Sequence, residues 1–185
     1  MPDNLDDALA VQRGAERLCT PEQVETAFTR MAEAITAAVA EDNPLVLSLL
    51  NGGLIPTGIL LPKLDFALQL DTVHVSRYRG RTHGDELIWY KKPLTQIAGR
   101  TVLLVDDILD EGHTLAGVVE YCREAGAERV VSAVLVDKVH QRKVPGLSSD
   151  IVGIEVEDRY LFGYGMDYKN YLRNAAGIFA VQQGD

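Results

Sequence analysis

Val24, Phe28, Met31, Ile35 and Val39 recur at steps of four, three, four and four, with mostly small and polar residues between them. That period puts them on one face of an α-helix. Thr20-Pro21-Glu22-Gln23 supplies the start: a threonine cap, a proline suited to the first helical position, and a glutamine that completes a capping box. The helix is predicted to end near Asp42. Leu45 to Leu50 (LVLSLL) breaks the period with a short apolar run, as expected of a buried strand, and Asn51-Gly52-Gly53 closes it with a turn where the backbone needs room. A helix follows from about Leu54 to Lys63, with Pro56 in its first turn. A second strand is predicted over Gln69 to Arg77, then a polar excursion from Tyr78 to Gly84, then a strand near Glu86 to Lys91. Thr101 to Val105 (TVLLV) is a third buried strand. Leu115, Val118, Val119 and Cys122 mark a helix with Gly126 just past its end. Val130 to Val136 and Ile151 to Val156 complete the series.

Strands alternating with helices of this length predict an α/β fold, a mainly parallel sheet of about five strands flanked by helices on both faces. A length of 185 residues suits one domain, and no repeat or low-complexity segment divides it. The composition, 46% hydrophobic and 24% charged, is enough for a real core. With 18 basic and 27 acidic residues the formal charge is −9, which argues against a nucleic-acid binder, since phosphate neutralisation needs clustered Lys and Arg. Cys19 and Cys122 form no metal-binding pair. MPDNLDDALA places acids where a signal peptide carries Lys or Arg, and no apolar run is long enough to span a bilayer, so the expected location is cytoplasmic, without a membrane partner.

Candidate chemistry concentrates after the third strand, in Asp106-Asp107-Ile108-Leu109-Asp110-Glu111-Gly112-His113-Thr114. Open parallel sheets bind ligands beyond the carboxyl ends of their strands. There the carboxylates can hold ribose hydroxyls and Mg²⁺, a hard ion that favours oxygen, while the amides of residues 111 to 114 can cradle a phosphate at a helix N-terminus. Other owners of parts of this pattern fit worse. Prenyl synthases carry DDxxD on helices, whereas this run follows a strand. A response-regulator receiver needs a phosphoacceptor Asp ending a later strand, and Asp150 instead precedes one. No GxxxxGK[ST] is present, and Gly163-x-Gly165 meets Tyr168 where a dinucleotide fingerprint needs its third Gly.

VLLVDDILDEGHT (102–114) resembles the phosphoribosyl-pyrophosphate signature of the type I phosphoribosyltransferases. It departs at Glu111, where the family generally has a hydroxyl for the 5′-phosphate; a carboxylate there would repel phosphate, so Glu111 is expected to turn outward and leave its N–H to bind. The resemblance runs from about Thr20 to Val181 and is nearest to the hypoxanthine-guanine phosphoribosyltransferases. It implies a substrate-binding set of Asp106, Asp107, Asp110, Glu111, Gly112, His113 and Thr114, with Asp110 as the catalytic acid–base group. LSLLNGG (47–53) resembles the pyrophosphate loop, in which the bond here between Leu50 and Asn51 is typically cis; Leu50, Asn51 and Gly52 would bind pyrophosphate, although many relatives have Lys at Asn51. Residues 78 to 91 resemble the mobile catalytic loop, with Arg79 on pyrophosphate and Tyr78 packing over the site. Arg173 matches an Arg that pairs with pyrophosphate.

For the base, the resemblance implies that Lys138 donates to the O6 of a 6-oxopurine, Tyr160 stacks on the ring, and Leu161 offers backbone groups to its Watson–Crick edge. Asp167 would sit near the exocyclic position and a second Mg²⁺, beside the metal ligands Asp106 and Asp107. The segment from about 151 to 181, with N-terminal residues, would form a small hood. Taken without the resemblance, Asn51-Gly52-Gly53 is also an ordinary turn, 78 to 84 a solvated basic loop, Lys138 an exposed lysine, and Tyr160 with Phe162 a packed aromatic cluster. The implied activity is purine salvage from phosphoribosyl pyrophosphate by a homodimer or homotetramer. Two alternatives stay open: xanthine-preferring transfer, and an RNA-binding attenuation regulator of the same fold.

Overall fold

The computed structural model describes residues 3–77 and 87–182. Its main sheet has six strands, one more than expected, in the order β4 (Leu87–Lys91), β3 (Gln69–Arg77), β2 (Leu45–Leu50), β5 (Thr101–Leu109), β6 (Arg129–Val139) and β7 (Ile151–Glu157). All neighbours run parallel except β3 and β4, which pair antiparallel. The alternation of side chains along a strand explains why both faces are covered. On β5, Leu103 and Val105 pack with Phe28, Met31 and Ile35 of α2 (Pro21–Val39), whereas Val102 and Leu104 pack with Leu115, Val118 and Cys122 of α4 (His113–Glu124).

The capping box of α2 forms as its sequence predicts. Thr20 Oγ1 accepts from the Gln23 N–H at 3.3 Å and Gln23 Oε1 accepts from the Thr20 N–H at 2.8 Å. A 3₁₀ turn, Ala40–Asp42, carries the helix to the expected end. The helix expected over 54–63 is instead α3 (Leu54–Leu60) followed by a 3₁₀ turn, Leu61–Lys63. Pro62 has no N–H to continue the α-helical ladder.

Two strands run further than their apolar residues suggest. β5 continues through Asp106 and Asp107 to Leu109, because it stays in parallel register with β6 as far as Leu109 opposite Asp137, and β6 runs on through Lys138 to Val139 by pairing with Val156 and Glu157 of β7. The acidic pair therefore stands on a strand, not in a loop. Rigid ladder hydrogen bonds fix its direction.

A second sheet, antiparallel β1 (Glu16–Cys19), β9 (Ile178–Ala180) and β8 (Leu161–Phe162), stands beside the site, with Phe162 and Phe179 stacked at 5.2 Å. Between β8 and β9 the chain turns tightly: Tyr164, Lys169, Asn170 and Leu172 have left-handed φ, as do Gly163, Gly165 and Gly177. Non-glycine residues in that region cluster at functional sites. α1 (Asp3–Gly14), which the sequence pattern does not predict, clamps this segment, its Asp7 accepting from Tyr168 Oη at 3.0 Å and Lys169 Nζ at 2.6 Å.

Candidate active site

From β2 the chain passes through α3 to β3 on one side, then returns by β4 to β5 on the other side. Such a reversal opens a crevice at the carboxyl ends of the two central strands. Here it is a cleft of about 660 Å³ whose wall includes Leu50, Gly52, Asp106, Asp107, Asp110 and Lys138.

The end of β2 meets the acidic pair directly. The peptide between Leu50 and Asn51 is cis, and Gly52 lies so close that a Cβ there would overlap the Asp107 carboxylate. A Cβ on Gly165, from the turn-rich segment, would collide with the Gly52 carbonyl. Glycine at both positions lets three chain segments converge on one carboxylate. Asp106 Oδ1 accepts from the Asp107 N–H at 2.9 Å. Burial, and then the charge of Asp107, raises the Asp106 carboxyl well above the usual range. Burial also raises Asp107, against the opposing hydrogen bond with Asp106 and the charge of Arg173. Two adjacent carboxylates under this strain, offering only oxygen ligands, suit a hard divalent cation such as Mg²⁺.

Beyond β5, Gly112 adopts φ +87° and caps α4; a Cβ there would overlap Leu147. The first hydrogen bond of the helix runs from the Ala116 N–H to the Gly112 carbonyl at 2.9 Å, so the amides of His113, Thr114 and Leu115 lie ahead of it at the positive end of the dipole. These residues line the cleft and make an anion cradle. Glu111 corrects the expectation of an outward carboxylate. It lines the cleft, its carboxylate 3.9 Å from Arg142 Nε and 3.8 Å from His113 Nε2, so the Arg142 guanidinium offsets its charge beside the cradle.

Asp110 has both oxygens engaged: Lys138 Nζ donates to Oδ2 at 2.8 Å, and His140 Nε2 stands 2.8 Å from Oδ1. Burial works to raise its carboxyl, but the hydrogen bond and charge of Lys138 and the contact with His140 prevail and lower it. Asp110 is therefore ionised at neutral pH and able to accept a proton. Arg142 grips Asp158 through two nitrogens, at 2.5 and 3.1 Å, and closes the cluster.

The hood supplies the opposite wall. Tyr160 is 53% exposed, its ring 5.4 Å from that of Tyr168, and Leu161 pairs with Ala180 in the small sheet. Arg173 Nη1 donates to the Gly165 carbonyl at 2.6 Å and Nη2 lies 2.7 Å from Asp167 Oδ1, while Asp167 Oδ2 accepts from the Asn170 N–H at 2.7 Å. Both oxygens of Asp167 are thus occupied by protein donors, a poorer metal site than the Asp106–Asp107 pair.

Every site residue expected from sequence within the described residues lines this cleft except Asn51, which is exposed, its carbonyl accepting from the Leu54 N–H at 3.2 Å. Tyr78 and Arg79, and the rest of the loop up to residue 86, lie outside the described residues. Sequence reasoning missed Ser76, Ile108, Met166 and Asn170 on the wall, and His140, Arg142 and Asp158 around Asp110. For His140 a signal existed, since it lies two residues beyond Lys138 and strands repeat with period two.

This combination of sheet reversal, strand-borne acids and helix amides defines a class. The family model for the phosphoribosyl transferase domain matches residues 15–169, and the chain belongs to the phosphoribosyl transferase family. It is a pentosyltransferase enzyme. Hypoxanthine-guanine phosphoribosyltransferase of Bacillus subtilis (strain 168) is 32% identical over 158 residues, 85% of this chain and 87% of that protein. Hypoxanthine-guanine-xanthine phosphoribosyltransferase of Tritrichomonas foetus is 31% identical over 166 residues, 90% of this chain and 91% of that protein. Among solved structures, hypoxanthine phosphoribosyltransferase of Trypanosoma cruzi in complex with the product IMP superposes with a TM-score of 0.83 at 28% identity, over 91% of this chain and 95% of that one.

Proposed function

We propose that this enzyme transfers the phosphoribosyl group of phosphoribosyl pyrophosphate to hypoxanthine or guanine, yielding IMP or GMP and pyrophosphate, with Mg²⁺ as its metal. The observation that carries the reading is the convergence of Asp106, Asp107, Asp110 and Lys138 with the α4 amides on one cleft at the sheet reversal. The names of the relatives support the purine substrates.

Within this reading the amides of residues 111 to 114 bind the 5′-phosphate, and Asp106 and Asp107 orient the ribose hydroxyls. Those two carboxylates would also hold Mg²⁺, and the chemistry it would supply there is Lewis-acid neutralisation of the departing pyrophosphate. Arg173 would turn from Asp167 toward pyrophosphate, joined by Arg79 and the Leu50–Gly52 backbone, and Asp167 would be released toward the base and a second ion. Lys138 selects a 6-oxopurine, because an ammonium finds an acceptor in O6 and none in adenine's N6 amine. Tyr160 stacks on the base and Leu161 meets its edge. As the N9 lone pair attacks ribose C1, the bond from C1 to the pyrophosphate oxygen breaks with its electrons, and the N7 proton passes to Asp110. The nearby carboxylates favour the positive charge that develops on the ribose.

The decisive assay supplies phosphoribosyl pyrophosphate, Mg²⁺ and each purine base in turn, and follows nucleotide formation. IMP and GMP are the expected products, with adenine inert; no product from any base would defeat the proposal. Xanthine is the informative additional arm, since one relative carries it in its name. The proposal places the enzyme in the cytoplasm as an assembly of two or four copies, the latter checked by light scattering. Among the described residues no helix is long and apolar enough to cross a membrane.

A further inference from the structure

Just beyond the end of β6 stands a second residue aimed at Asp110. Lys138 on the strand and His140 one residue past its end both reach the one carboxylate, as the period of two continued past Val139 would place them. The imidazole tautomer follows from its other nitrogen. The Arg142 N–H donates to Nδ1 at 3.0 Å, so Nδ1 is unprotonated and the ring proton sits on Nε2, directed at Asp110 Oδ1 at 2.8 Å. The His140 side chain is only 5% exposed and is absent from the cleft wall, so it backs Asp110 from behind. Among the described residues, the other charged groups around Asp110 form one connected set. Arg142 Nη2 lies 3.8 Å from Oδ1 and is anchored on Asp158, its Nε faces Glu111 at 3.9 Å, and Asp158 lies 3.9 Å from Lys138.

The two donors to Asp110 differ in what else they can reach. Lys138 lines the cleft on a flexible stem, and a 6-oxopurine presents an acceptor, O6, beside its N7. His140 is held by a backbone amide and has no such alternative. We propose that His140 is a positioning residue for Asp110: its Nε2–H keeps Oδ1 while Lys138 passes from Oδ2 to the O6 of the incoming base, so that Oδ2 is uncovered facing the N7 proton. The inference rests on the reading of Asp110 as the group that takes that proton. It makes exposure of the base conditional on a substrate that attracts Lys138, and it assigns His140 the task of keeping the carboxylate from rotating when Lys138 leaves.

Two variants separate this role from simple packing. In His140→Asn the side-chain oxygen replaces Nδ1 as acceptor for the Arg142 amide, but no atom replaces Nε2. In His140→Gln the amide nitrogen takes the place of Nε2. His140→Asn is expected to lose roughly tenfold or more in kcat, the weight of one charge-assisted hydrogen bond, with the KM for phosphoribosyl pyrophosphate little changed. Its acidic limb of kcat/KM is expected to move to higher pH, because Asp110 loses a donor that favours its ionised form. His140→Gln is expected to restore most of both. An Asn variant with wild-type kcat and an unmoved acidic limb would overturn the proposal, as would a Gln variant as impaired as Asn. Turnover surviving in Asp110→Asn would instead remove the underlying reading of Asp110, whatever the His140 variants do.

Discussion

For the proposed reaction Asp110 combines two properties that a general base needs: it is ionised, and it is hydrogen-bonded to Lys138, the residue proposed to meet the purine. Asp110→Asn preserves shape but removes the proton acceptor. It is expected to lower kcat by about 10²–10⁴-fold while binding of phosphoribosyl pyrophosphate persists, as steady-state kinetics and a binding titration would resolve. Gly52 makes a different demand. Its replacement by Ala forces a methyl group into the Asp107 carboxylate, which must swing away from the cleft. Gly52→Ala is expected to cost about 1–3 kcal/mol of stability and about a hundredfold in kcat/KM; wild-type kinetics would deny Asp107 its role. The acids could be found in sequence because an apolar strand before them and a glycine and helix after them admit few other uses. Arg142 and Asp158 could not, because two separated, ordinary polar residues join the Asp110 cluster only when the chain beyond β6 and the hood fold over it.

Where a strand or helix carries its own local signal, sequence and structure agree. The capping box and spacing of α2 and the apolar runs of β2 and β5 depend on neighbours in sequence; α2 and β2 form where predicted, and β5 starts where predicted and runs on to Leu109. By contrast α1, β1, β8 and β9 have no such pattern; the strands are two to four residues long and exist through mutual pairing and the stacking of Phe162 on Phe179. The β3–β4 pair has its own lock. Asp71 accepts from Lys91 Nζ and from the amides of Thr72, Leu94 and Thr95, at 2.7 to 2.9 Å. Burial works to raise its carboxyl, but these donors win and hold it far below the usual carboxylate range. A depressed folded-state value stabilises the fold fully above the unfolded value of about 4, and that contribution fades as pH falls below it. Thermal melting should therefore find Asp71→Asn less stable than wild type at pH 7, with the gap narrowing below about pH 4. A gap independent of pH would mean that Asp71 acts through packing and not through its charge.

A formal charge of −9 would suit neither RNA nor a membrane surface, yet the enzyme is inferred to bind a highly anionic sugar phosphate. The fold resolves this by placing the positive groups locally: the α4 amides, Lys138, Arg142 and Arg173 gather at one sheet edge inside an acidic molecule. Net charge argues against partners that cover large surfaces, but says little about a ligand the size of one cleft. The cleft is proposed to grip magnesium phosphoribosyl pyrophosphate through the β5 acids and the α4 amides. The most direct test of that grip is calorimetric titration of phosphoribosyl pyrophosphate into the wild-type protein and into Asp106→Asn/Asp107→Asn, each with Mg²⁺ and with chelator. Saturable binding by wild type that is strongly weakened by chelation or by the double substitution is predicted. Binding that is indifferent to both metal and the two carboxylates, or no binding at all, would contradict it.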